Sequence, residues 1–211
     1  MEEEFIYLAG KIQSDGWRQS IVDIRNSLVG YQNDYDKQEL INVFKRGFLR
    51  FNNYYLIKGP FFISCDHSCY HGDGSHGVGI NIPCKYGCYG EKLLTEQEVI
   101  DICKYQIEHS DIIFAFINDD TCYGSLWEIG YAKALGKKII TVFDTNKRQK
   151  DMWFISETSD CTFNLEQFSV INENKILADA CVKSTDESLN PIAKIFAYKI
   201  MNYDERNRVQ P

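Results

Sequence analysis

The chain has 211 residues and a mass of 24.5 kDa, which suits one domain, alone or with a large insertion. Hydrophobic residues make up 44% and charged residues 25% of it, a composition that excludes a disordered chain. The net charge of −7 argues against a dedicated nucleic-acid binder or a protein of anionic membrane surfaces, because such partners usually demand a basic surface.

The N-terminus and the cysteine content together indicate a reducing compartment. Met1–Glu4 is acidic and lacks the basic and apolar regions of a signal peptide. No stretch approaches the roughly 18 apolar residues of a membrane span. We therefore expect a cytoplasmic protein with no membrane association. Its eight cysteines are then expected to be free thiols, metal ligands or catalytic groups and seldom disulfides.

The first part of the chain predicts a strand, a helix, a second helix or a hairpin, and a further strand. The apolar run Phe5–Gly10 predicts a buried strand. Trp17–Leu28 carries apolar residues at helical spacing, and Leu40–Phe51 adds a second helix or a hairpin. Tyr54–Ser64 is a strand candidate that Gly59 and Pro60 interrupt.

The middle of the chain predicts a βαβ unit. Thr95 and Glu98 fit a capping box at the start of a helix, with Val99, Ile100, Cys103 and Ile107 on its apolar side. The elements that follow are strand Ile112–Ile117, helix Ser125–Leu135 closed by Gly136, and strand Lys138–Phe143. This order predicts an α/β fold with a flavodoxin-like or Rossmann-like parallel sheet and helices on both faces.

The remaining segments complete one domain over residues 1–211. A helical piece near Asp151–Ile155, a strand near Thr162–Leu165 and a closing helix from about Pro191 to Tyr203 are predicted. Residues 65–92 form a predicted irregular insert that is rich in Cys, His and Gly. We expect the run Lys147–Lys150 to be a solvated loop.

Ligands of open α/β sheets bind outside the carboxyl ends of the strands. The first strand brings Tyr7, Gly10 and Lys11 to this edge, and the central strand brings Asn118, Asp119 and Asp120. The next loop and helix bring Tyr123, Gly124, Ser125, Trp127 and Glu128. In the predicted first turn, the helix dipole favours an ionised Glu128, and carboxylates can attack sugar carbons as nucleophiles. The alternative is that Glu128 only favours the start of the helix.

Three segments resemble the nucleoside 2-deoxyribosyltransferase-like superfamily. They are residues 6–10 (I-Y-L-A-G), residues 110–112 (S-D-I) and residues 123–132 (Y-G-S-L-W-E-I-G-Y-A). The superfamily signature G-[ST]-x-x-E-[LI]-G-x-A is matched at Gly124, Ser125, Glu128, Ile129, Gly130 and Ala132. The resemblance covers roughly residues 5–29 and 95–145. It implies a flavodoxin-like domain that cleaves or transfers at N-glycosidic bonds, needs no cofactor and forms a homodimer or a larger assembly.

The resemblance also implies roles for single residues. Glu128 matches the nucleophile, Tyr7 matches the tyrosine that hydrogen-bonds it, and Ser125 matches a contact to sugar or phosphate oxygens. Gly10, Lys11, Asp120, Tyr123 and Gly124 are predicted to contact substrate beside them. Trp127 either stacks at the pocket or belongs to the core. Arg18 either binds a phosphate or is a solvated helix residue.

This sequence departs from the family pattern at two positions. Cys122 stands where transferases of the family have an Asp, and Cys103 stands where they have the acid that assists the departing base. Asp119 or Asp120, in the same loop as Cys122, is the candidate replacement. Asp111, which opens the central strand, is expected to be a cap or turn residue.

The insert has three open interpretations. Cys65, Cys69, Cys84 and Cys88 are candidate ligands of a structural zinc ion. Alternatively, the insert is a substrate lid in which His67 or His76 acts as a donor or general acid. The third interpretation is a Gly-rich loop with buried thiols. Cys161 and Cys181 are predicted core residues.

The sequence therefore predicts an enzyme acting on a nucleoside or nucleotide through Glu128. The alternatives are an NAD glycohydrolase-like activity, a non-catalytic nucleotide or ADP-ribose sensor, and a zinc interaction module built on the insert.

Overall fold

A computed structural model describes residues 3–11, 17–22, 36–60, 94–166 and 196. Its strands are β1 (Glu4–Gly10), β2 (Leu49–Arg50), β3 (Tyr55–Lys58), β4 (Ile112–Ile117), β5 (Lys138–Phe143) and β6 (Cys161–Asn164). Its longer helices are α1 (Lys37–Arg46), α2 (Glu96–Glu108), α3 (Tyr123–Ala134), α4 (Asn146–Asp151) and α5 (Trp153–Thr158), with a 3-10 turn at Trp17–Ser20.

The strands form one mostly parallel sheet in the order β2-β3-β1-β4-β5-β6. Every strand pair is parallel except the short β2–β3 pair at the edge. Without β2, the order along the sheet is the 2-1-3-4-5 order of flavodoxin-like folds. The predicted α/β fold with a parallel sheet is confirmed.

The strand order places a crevice between β1 and β4. After β1 the chain adds β3 on one side of it, and β4 then pairs with the other side. Ligands of such sheets bind where the direction of strand addition reverses, outside the carboxyl ends of the strands. The candidate residues that follow β1 and β4 therefore belong to the same edge of the sheet.

Alternate residues of β1 face opposite layers, as expected for a strand. Ile6 and Leu8 belong to a buried cluster with Trp17, Val22 and Phe196. Tyr7 and Ala9 face the other layer, which contains Ile107 of α2 and Ile129 and Ala132 of α3. The Tyr7 side chain is thus directed toward the two helices that flank the crevice.

Helix α2 begins at the predicted capping box. The Thr95 hydroxyl accepts from the Glu98 amide at 3.2 Å, and the Glu98 carboxylate accepts from the Thr95 amide at 2.6 Å. The predicted apolar side needs one correction, because Ile100 is 43% exposed whereas Ile102 is fully buried. Ile102 packs against α1, a contact that the spacing within α2 alone does not indicate.

Several predicted elements differ in extent from the observed ones. The helix predicted from Trp17 begins as a 3-10 turn, and residues 23–28 lie outside the described part. The region 40–51 contains the end of α1 and then β2. The helical piece predicted near 151–155 is present as the end of α4 and the start of α5, and the strand predicted near 162–165 is β6, one residue earlier.

The insert and the predicted closing helix lie largely outside the described residues. Phe196 is described, and it is helical and fully buried. Cys181 lies outside the described residues, and Cys161 is half-buried against the core. In the described parts of the chain, no helix has both the length and the apolar character needed to cross a bilayer.

Candidate active site

A cavity of about 530 Å³ opens between α2 and the start of α3. Its volume is within the range of small-molecule sites. The described residues that line it come from the ends of β1 and β3, from α2 and from the segment after β4. They are Gly10, Lys11, Pro60, Val99, Ile100, Cys103, Thr121, Cys122, Tyr123, Gly124, Ser125, Trp127 and Glu128.

Tyr7 and Glu128 form a short hydrogen bond at this cavity. The fully buried Tyr7 hydroxyl donates to Oε1 of the half-buried Glu128 at 2.5 Å. Burial, then the neighbouring Cys103 and Glu128 groups, raises the pKa of Tyr7 well above its usual value. The phenol therefore keeps its proton at neutral pH and is a permanent donor to the carboxylate. Such a bond favours the ionised form of a carboxylate.

Cys103 contributes a thiol beside this pair. It lies on α2, lines the cavity and is close enough to the Tyr7 hydroxyl to add to the rise in the Tyr7 pKa. It is buried, as is Cys122 at the start of α3. Burial raises the pKa of Cys122 as well, so this second thiol is neutral near pH 7.

Glu128 lies two residues deeper in its helix than the sequence predicts, in the second turn and not the first. Helix α3 begins at Tyr123, two residues before the predicted start, and Cys122 makes no side-chain capping bond. The helix dipole acts mainly on the first turn, and Glu128 is five positions after Tyr123. The Tyr7 hydroxyl donates a hydrogen bond to this carboxylate, a contact that does not depend on the helix terminus.

Lys11 and Asp119 tie the end of β1 to the segment after β4. The Lys11 ammonium donates to Oδ2 of Asp119, and the Thr121 amide donates to Oδ1 at 2.7 Å. The Lys11 hydrogen bond, followed by those from Thr121, holds the pKa of Asp119 well below its usual range. Asp119 is therefore ionised at neutral pH. It is unsuited to the predicted role of a replacement acid, and it orients Lys11 instead.

Asp120 points away from the cavity. Its side chain is 81% exposed and pairs with Arg148. Arg148 also donates from Nε to Oδ1 of Asp144 at 2.7 Å. The expected solvated loop around Lys147 is in fact helix α4, and Arg148 is mostly buried within it. The predicted contact between Asp120 and substrate is not supported by this geometry.

Arg18, in the 3-10 turn after β1, has a structural role and contacts the end of that strand. Its guanidinium is fully buried and donates to the carbonyl oxygens of Leu8 at 3.0 Å and Gly10 at 2.7 Å. It also lies 4.9 Å from the ring centre of Trp17. Both predicted alternatives, a phosphate contact and a solvated helix residue, are therefore corrected. Arg18 therefore supplies charged hydrogen-bond donors to main-chain acceptors at the end of β1.

Gly10 allows the end of β1 to pack closely. Its φ is +158°, and a Cβ atom there would lie 2.9 Å from the Phe116 carbonyl oxygen and 2.9 Å from Nε1 of Trp17. Glycine is therefore required for this approach. Its predicted position at the crevice agrees with the cavity lining.

Two exposed aromatic side chains lie at the mouth of the cavity. Tyr123 is 71% and Trp127 is 45% exposed, and both line the cavity. Trp127 stacks on Tyr131, with ring centres 5.2 Å apart and planes 7° apart. Of the two interpretations of Trp127, the structure places it at the pocket and not in the core.

The remaining predicted residues fall into three groups: residues that line the cavity, a residue that joins two strands, and residues outside the described part of the chain. Gly124 and the buried Ser125 line the cavity. Asp111 joins the start of β1 to the start of β4, since its carboxylate accepts from the Phe5 amide at 2.8 Å, which is a contact between distant segments and not a local cap or turn bond. The candidate lid and zinc residues lie outside the described residues: Cys65, His67, Cys69, His76, Cys84 and Cys88.

Sequence reasoning did not identify four lining residues as part of the site: Pro60, Val99, Ile100 and Thr121. Thr121 was detectable, because it follows Asp120 in the predicted loop. Val99 and Ile100 were not predictable as lining residues, because they reach the cavity only through the packing of α2 beside α3. Among the residues that the structure describes, no three His, Cys, Asp or Glu side chains are grouped to hold a metal ion.

Comparison with protein-family models and with curated proteins finds no match for this chain.

Proposed function

We propose that this protein cleaves, or transfers at, the N-glycosidic bond of a nucleoside or nucleotide. The hydrogen bond from Tyr7 to Glu128, in a cavity of ligand size, is the observation that carries the proposal. This hydrogen bond holds the half-buried carboxylate of Glu128 in place at the edge of the sheet where α/β proteins bind ligands. The resemblance of the segments around both residues to the nucleoside 2-deoxyribosyltransferase-like superfamily adds support.

In the proposed reaction, a carboxylate oxygen of Glu128 attacks the anomeric carbon as the base leaves. Tyr7 holds the carboxylate in place through Oε1. Lys11 and Ser125 line the same cavity and are candidates for contacts to sugar or phosphate oxygens. Water or a second base then displaces Glu128, as in retaining glycosidases. Water gives hydrolysis, and a base gives transfer.

The test is release of the free base from nucleosides, nucleotides and NAD by the full chain. Wild type is compared with Glu128→Gln, which keeps the shape of the side chain but removes the charge. Glu108→Gln is the matched control, because Glu108 also accepts a hydrogen bond from a tyrosine, Tyr131, but does not line the cavity.

We expect Glu128→Gln to lose base release by at least about a thousandfold, as for other nucleophiles, and to unfold like wild type. Glu108→Gln is expected to remain active. Equal activity of wild type and Glu128→Gln, or no release from any substrate, contradicts the proposal.

The second candidate is a nucleotide or ADP-ribose sensor that does not turn over its ligand. The buried thiols of Cys103 and Cys122, at positions where the family pattern has acids, favour it. Calorimetric binding of a nucleotide with no product after long incubation would select this candidate.

A further inference from the structure

Resting on the proposed function, we propose that the preferred substrates are N-glycosides of a cationic aromatic base, of the pyridinium class, whose base leaves as a neutral molecule. Two features of the cavity support this specificity. One is the set of polar groups around Glu128, and the other is the aromatic mouth formed by Tyr123 and Trp127.

Among the residues that the structure describes, the polar groups around Glu128 suit a base that needs no proton. A neutral base bound through its nitrogen leaves as an anion unless an acid protonates it, whereas a pyridinium base leaves neutral. Tyr7 is already committed as a donor to Glu128, and Asp119 is ion-paired with Lys11. Cys103 presents a thiol, a weak hydrogen-bond donor, at the position that the family pattern gives to an acid. Each group is therefore a poor match for protonating a leaving base.

The cavity also suits a flat cation. The half-buried carboxylate of Glu128 lines it, and the charge of Lys11, a cation among the described lining residues, is balanced by Asp119. Aromatic faces attract cations placed within about 6 Å of the ring centre. Trp127 is held by its stacking contact with Tyr131, so one aromatic surface is preorganised at the mouth.

The proposed step is balanced without an added acid. The bond from the anomeric carbon to the ring nitrogen breaks, and its electron pair neutralises the ring. A Glu128 oxygen forms a bond to the anomeric carbon. Water then attacks that carbon, Glu128 departs as a carboxylate, and one proton is released to solvent.

The experiment compares nicotinamide mononucleotide and NAD with adenosine, thymidine and their monophosphates, using the full chain. We expect kcat/KM for the pyridinium substrates to exceed that for the neutral bases by at least about 100-fold, the contribution of a typical general acid. Equal or faster cleavage of the neutral bases overturns this inference but leaves the proposed function standing. No release from any substrate overturns both.

The aromatic mouth has its own test. We expect Trp127→Leu to raise KM for nicotinamide mononucleotide about two- to fivefold, as the loss of an exposed cation–π contact implies, and Trp127→Phe to restore part of the affinity. Trp153→Leu is the matched control, because Trp153 is exposed on α5 and does not line the cavity. An equal effect of Trp127→Leu on binding of a neutral analogue, in which carbon replaces the charged ring nitrogen, contradicts the cation-binding role.

Discussion

The Tyr7 hydroxyl and the Glu128 carboxylate, 121 residues apart in the chain, meet at 2.5 Å. Tyr7 comes from the middle of β1 and Glu128 from the second turn of α3. Their contact depends on β1 pairing with β4, which positions the start of α3 over the sheet. The candidate nucleophile is therefore oriented by the fold as a whole and not by its own helix.

Tyr7→Phe should reduce catalysis more than stability. The substitution keeps the buried ring but removes the donor to Oε1 of Glu128. A hydrogen bond to a charged group contributes about 1.5–3 kcal/mol, so we expect kcat to fall roughly 10- to 100-fold. Because Glu128 is only half-buried, water can replace the donor, and the loss of folding stability should stay below about 1.5 kcal/mol.

Steady-state kinetics and urea unfolding of the same preparation separate these two effects of Tyr7→Phe. Tyr54→Phe serves as the control, since Tyr54 is exposed and does not line the cavity. A Tyr7→Phe protein with wild-type kcat would show that the hydroxyl does not position Glu128.

Two Gly→Ala substitutions should change stability in opposite directions. At Gly10 the new Cβ would meet backbone and indole atoms at 2.9 Å, so Gly10→Ala should destabilise by more than about 1 kcal/mol. At Gly130, inside α3, nothing lies within 4 Å of the new Cβ. Gly130→Ala should therefore stabilise by up to about 1 kcal/mol, the difference in helix propensity. Thermal or urea unfolding measures both, and shifts of the same sign would disprove the packing argument.

Arg18→Lys should destabilise the fold instead of weakening phosphate recognition. The guanidinium supplies separate donors to two strand carbonyls, a geometry that one ammonium group does not reproduce. A hydrogen bond that involves a charged group contributes about 1.5–3 kcal/mol. The free energy of unfolding measured in urea should fall by about that amount, with equal changes in KM for a nucleoside and its monophosphate. A selective rise in KM for the monophosphate would instead assign Arg18 to substrate binding.

Asp119→Asn should lower stability at neutral pH and have less effect in acid. The pKa of Asp119 is depressed in the folded protein by Lys11 and Thr121, so the pairing contributes stability above the unfolded pKa of roughly 3.9. That contribution decreases as the pH falls below this value and is lost through the folded pKa. Urea unfolding of both proteins from about pH 7 to pH 2 should show the difference shrinking below roughly pH 4. A difference that is constant over this range would contradict the ion pair.

Local patterns predicted the elements that carry the site. The capping box at Thr95, the apolar strand Ile112–Ile117 and the stop at Gly136 all agree with the structure. These signals are local, because a capping box, a continuous apolar run and a glycine that ends a helix are each formed by a few adjacent residues. The start of α3 was less predictable, since Cys122 makes no side-chain capping bond.

The sequence by itself determined the α/β class, the order of the elements and the edge of the sheet at which Tyr7 and Glu128 were expected. Only the tertiary structure decided the state of the side chains at that edge. It buries Arg18 against strand carbonyls, pairs Asp119 with Lys11 and brings Cys103 beside Tyr7. These outcomes depend on desolvation and on contacts between distant segments, whereas periodicity reports only which face of its own element a residue occupies.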